Sequence, residues 1–149
     1  MPRSRRWTDR AGERGSASIE LLTIGMLLTV PLVYLVLAMA QLQGAALATE
    51  GAARQAARMI ATADSHVDAL ASADAAIVVA LADLGLTASA VDVACDPVPT
   101  DCTARGGTVR VVVEVVVPLP LVPPVLDLDV GLAVPMSASS AQPVSELRP

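Results

Sequence analysis

Apolar and polar positions follow three different periods along this 149-residue chain. From Leu21 to Ala40 there is no period, because twenty residues carry no charge and the uncharged stretch runs on to Thr49. At 1.5 Å per residue, about twenty residues cross the roughly 30 Å hydrocarbon core of a bilayer. The pattern therefore predicts a membrane-spanning helix over about 21–40. A buried core helix is the plainer alternative, but such helices seldom stay this apolar and uncharged for so long. Pro31 lies inside the span, where a proline removes one hydrogen bond and bends a helix without ending it.

Beyond the span the period becomes helical. Leu42, Ala46, Thr49, Ala53, Ala56 and Ile60 recur at steps of three and four, so the same helix is expected to continue outward to about residue 63. Glu50, Arg54 and Arg58 follow at steps of four on a solvated face. Asp64 and Ser65 are cap candidates for a second helix over His66–Gly85. Its expected apolar face holds Val67, Leu70, Ile77, Val78, Leu81 and Leu84, and Gly85 occupies the place of a C-terminal capping glycine.

After Leu86 the period falls to two. Val91 and Val93 start a short strand. "TVRVVVEVVVPL" then sets Val109, Val111, Val113, Val115 and Val117 on one face. "VLDLDVGLAV" (Val125–Val134) alternates again, with Asp127 and Asp129 outward. The two long runs are expected to pair antiparallel across the proline-rich "PLPLVPP". A last extended piece and a frayed tail over 141–149 complete the expectation. The fold class is α+β: a long N-terminal transmembrane helix, then a small exported domain over 64–140 with a second helix and an antiparallel sheet of about three or four strands.

Charge adds a direction. Up to Arg14 the chain carries +3, all its cations being arginine; from Ser16 onward it carries −8. Arginines before an apolar run keep that flank in the cytoplasm, so everything after Gln41 is expected outside. Aromatic residues are almost absent, with Trp7, Tyr34 and no Phe, which leaves nothing to stack on bases and argues against a nucleic-acid partner.

Three readings of the N-terminus compete. Ala38-Met39-Ala40 has the small-x-small form of a secretory cleavage site, but the apolar run exceeds the 7–15 residues of an ordinary signal. An uncleaved anchor explains the length and gives no reason for Glu20, a carboxylate at the mouth of the span. The third reading explains it. "RG" followed by "SASIELLTIG" places Gly15, then Ser16, then Glu20 as the fifth residue from Ser16, ahead of an uncharged 20-mer. This arrangement closely resembles the processing site of type IV pilin-like proteins.

The resemblance implies that a membrane aspartyl peptidase cuts after Gly15 on the cytoplasmic side, leaving Ser16 with a new α-ammonium. Glu20, one turn on, would pair with that amine on its own or a neighbouring helix and set the stagger between subunits. The rest of the chain resembles the TadE-like pseudopilins of the tight-adherence (Flp) system. The carriers are the "AAR…AR" stretch at Ala52–Arg54 and Ala57–Arg58, a β-rich domain with a cysteine pair, and the "SAS" strand at Ser137–Ser139. The major pilins of that system start like "ATAIEY"; here Leu21 stands where they carry an aromatic, and some 90 residues follow the long helix.

The family implies a leader over 1–15, a mature helix over 16–63 and a minor-pilin or assembly role. Its expected partners are a prepilin peptidase, other pilin-like subunits, the pilus assembly platform and the bilayer. The rival function is an uncleaved, membrane-anchored binding module with no pilus role.

Catalytic chemistry is not legible. There is no nucleophile elbow, phosphate loop or defensible acid–base pair, so no enzyme activity and no cofactor are expected. Cys95 and Cys102, seven apart, most simply form one disulfide on the exported side. A metal site is not expected, since no further cysteine exists and the single histidine, His66, falls in the cap region of the second helix.

Overall fold

The computed structural model describes residues 13–120 and 133–146, with side chains from Ser18 onward. Helix α1 (Glu13–Thr62) passes through Pro31. Helix α2 (His66–Ala82) follows, then strands β1 (Ala88–Asp96), β2 (Thr108–Pro118) and β3 (Ala133–Pro143). Two compact units divide the chain, Met1–Ala38 and Met39–Pro149.

Within the second unit the fold is α+β, as the periods require. The sheet is antiparallel in the order β1-β2-β3, with β2 in the centre. Val109, Val111, Val113, Val115 and Val117 are all buried, as the period of two predicts. They join one core with Ala45, Ala52, Ala53, Ala56, Ala57 and Ile60 of α1, and with Ala69, Ala73, Ile77 and Leu81 of α2. An alanine seam lets α1 sit close to its neighbours, which suits a core with no aromatic ring. Thr49 is the one polar residue buried there among the described residues, and its hydroxyl donates to Ala45 O at 2.7 Å. Gln41 ties α1 to the sheet by donating from Nε2 to Pro118 O at 3.0 Å.

Helix α2 begins at the expected His66 and ends at Ala82, three residues before the expected Gly85, which still closes it. Ser65 is its N-cap, with Oγ accepting from Asp68 N–H. Gly85 has φ +63°, its N–H reaches Ala82 O, and Leu86 N–H reaches Leu81 O. That bond pair is the Schellman closure, which needs a left-handed residue at Gly85.

Its buried face differs from the expected one. Ala69, Ala73, Ile77 and Leu81 are inside, whereas Val67, Leu70, Val78 and Leu84 are exposed. Counting only large apolar residues drew the face off centre, because two of the four core positions are alanine.

The sheet also differs from expectation at three places. β1 starts at Ala88, three residues before Val91. The second partner of β2 is Ala133–Pro143, with Val111 opposite Ser140 and Val113 opposite Ala138. Both sides of β2 are thus occupied by β1 and β3, and the alternating run over 125–132, including Asp127 and Asp129, lies outside the described residues. β3 also extends past Ser140: Ala141 pairs with Arg110, and Val144 is buried, its N–H bonded to Gly107 O at 2.8 Å. The expected strand at Ser137–Ser139 lies within β3. Alanine is a poor strand former, so the full extent of β3 has little local signal; β2 supplies the ladder, and Ala138 and Ser140 are among its inward positions.

Candidate processing site and membrane span

From Ile19 to Met39, fourteen large apolar side chains are exposed. Leu21, Leu22, Met26 and Leu27 each expose 70% or more of their surface, and they point in different directions round the axis. A soluble helix hides one face; a helix apolar on all sides needs a lipid environment or a protein sheath. Moving fourteen such side chains out of water is worth on the order of 20 kcal/mol. One carboxylate near the mouth of a span opposes that by only a few kcal/mol, so the apolar term wins. The helix is long and apolar enough to cross a membrane.

Inside this apolar stretch the polar groups are mostly accounted for. Thr23 donates its hydroxyl to Ile19 O at 2.8 Å. Pro31 has no N–H to give to the carbonyl of Leu27, so one backbone acceptor there lacks its helical donor. Glu20 is exposed and makes no hydrogen bond or ion pair among the described residues.

Gly15 and Ser16 fall in the first turn of α1, which begins at Glu13, so helix starts before the expected junction at 16. Glu20 therefore follows Ser16 by four residues on continuous helix, a rise of about 6 Å. Residues 1–12 of the expected leader lie outside the described residues.

Ala38-Met39-Ala40, the small-x-small triplet, also sits in continuous helix. Ala38 is buried, and the residue after the triplet, Gln41, is held by Pro118.

Cys95 and Cys102 are joined, with Cα atoms 5.0 Å apart. Their loop contains a cis Asp96–Pro97 bond, and it is braced by Asp101, whose Oδ1 accepts from both Thr103 N–H and Thr103 Oγ1. Cys102 N–H donates to His66 Nδ1 at 3.2 Å, which fastens the loop to the first turn of α2. Sequence spacing held no signal for this contact across 36 positions; it places His66 as a structural acceptor. Glu50 and Arg54 form an exposed pair of the i,i+4 kind, worth at most about 0.5 kcal/mol. No group of three metal-ligating side chains occurs among the described residues.

No family model, curated protein or solved structure matches the chain.

Proposed function

We propose that this protein is a minor pilin or pseudopilin of a tight-adherence-type pilus, matured by a prepilin peptidase and acting in pilus assembly or initiation at the cytoplasmic membrane. The observation that carries the reading is Glu20: a carboxylate with no partner among the described residues, at the mouth of a helix apolar on every side, five residues after Gly15.

Cleavage after Gly15 would create an ammonium on Ser16, one turn from the carboxylate. Near lipid, where an isolated charge is costly, that pairing removes two unmatched charges together. The positive end of the helix dipole favours the same anion. With arginines on the N-terminal side, the leader stays cytoplasmic and the domain after Gln41 is extracytoplasmic. A secretory cut after Ala40 is disfavoured: a peptidase needs extended backbone, and this triplet lies in helix beside a tethered Gln41.

The test separates processing from assembly. Glu20→Gln should still be cut after Gly15 but should be lost from the sheared surface fraction and from complexes with pilin-like subunits. Gly15→Ala should block both. If Glu20→Gln assembles as wild type does, the carboxylate has no pairing role; an uncut wild-type chain would favour the anchored binding module.

A further inference from the structure

We propose that the edge of β1, unpaired among the described residues, is a docking site for an extended, basic, alternately apolar segment of another protein, which adds to the sheet as a further strand. The proposal is independent of the processing reading.

The two edges of the sheet are unlike. β3 carries Pro135 and Pro143, and proline on an edge obstructs strand addition. β1 carries neither proline nor a basic residue, and among the described residues no backbone group outside the sheet pairs with Ala88–Asp96. Beside this edge runs an open groove of about 560 Å³, walled by Ile77, Val78 and Leu86 on one side and by Ala88 and Val91 on the other. Val78 and Val91 are exposed there, 61% and 42%. An added strand would drop alternate side chains into this groove, and the side chains between them would lie on the outer face next to Asp92.

Charge selects the occupant. Between Met59 and Ala104 the chain has seven aspartates and no lysine or arginine. Asp74 lines the groove, and Asp92 lies on the outward face of β1, opposite Val112. Two copies joined β1 to β1 would set these acids against each other, and like charges across a ladder are destabilising. The β3 edge of a second copy offers two prolines and no cation. A partner with basic residues at the outward positions meets both requirements.

The probe is a labelled peptide of alternating valine and arginine, titrated by fluorescence anisotropy into the full chain in nonionic detergent. Binding should saturate and weaken with salt. Asp92→Lys should weaken it at least about fivefold. N-methylation of three amides facing β1 should weaken it roughly a hundredfold, since each removes one ladder hydrogen bond. Val78→Asp, which keeps the acidity but spoils the apolar wall, should also weaken it. Binding that fails to saturate, that survives N-methylation or that is matched by a valine–glutamate peptide overturns the proposal. Self-association of the chain through β1, competed by the peptide, would overturn it too.

Discussion

Three glycines of the second unit should respond to alanine with different signs, and Gly107 decides the case. A Cβ at Gly107 would stand 2.9 Å from Ala104 O and 2.9 Å from Asp96 O, both backbone atoms. Neither can swing aside as a side chain could. Ala104 O already accepts from Gly107 N–H at 3.1 Å, Asp96 closes the β1–β2 ladder opposite Thr108, and Gly107 O holds Val144 N–H. Relieving the overlap must therefore move the return of the disulfide loop, the ladder end and the anchor of Val144 together. Overpacking of this kind costs about 1–3 kcal/mol, and weakening one of those bonds adds about 1, for a total of about 2–4 kcal/mol.

Gly106 has φ +69°, and the nearest atoms to its Cβ position belong to the Glu146 side chain at 3.6 Å. Alanine there meets only the left-handed backbone cost, about 1 kcal/mol net. Gly51 lies in α1 with nothing within 4 Å, so alanine should stabilise by up to about 1 kcal/mol. Amide exchange of β2, measured on the full chain in detergent, reads all three. Gly107→Ala should exchange about a hundredfold faster than wild type, Gly106→Ala a few-fold faster and Gly51→Ala slower. Wild-type exchange in Gly107→Ala, or a larger effect at Gly106, would refute the close-approach argument.

Other substitutions probe separate parts of the fold. Val113→Ala, at a fully buried position, should cost about 2–3 kcal/mol, whereas Val116→Ala, which is half-exposed, should cost under about 1; the same exchange measurement distinguishes them. Ser65→Ala removes the cap of α2 and should lower stability by about 1 kcal/mol, with exchange rising first in Val67–Ala69. Replacing Cys95 and Cys102 together by serine should cost about 2–3 kcal/mol while leaving the antiparallel pattern intact, readable as retained strand signal in circular dichroism.

Legibility tracked how strongly each stretch constrains itself. The valines of β2 bury one face and expose the other, so their period announced the central strand before any partner was known. Ser65 and Gly85 were equally plain, since a cap and a left-handed residue each need a particular chemistry. The face of α2 was misread because its core positions include Ala69 and Ala73, which a search for bulky residues passes over. The strand at Ser137–Ser139 is expected only from resemblance, and the full extent of β3 and its place beside β2 have little local signal, because β2 imposes that conformation. His66 to Cys102 is a long-range contact with no local trace. At the N-terminus, the long apolar helix and Glu20 are legible as apolar length and a misplaced charge, while the role proposed for Gly15 is carried by resemblance.

Intact mass of the chain purified from membranes of cells that carry a prepilin peptidase tests the central claim most directly. The account predicts a mass corresponding to Ser16–Pro149 with Cys95 and Cys102 oxidised, and the full-length mass after Gly15→Ala. A full-length wild-type chain, or one that begins at Gln41, would contradict it.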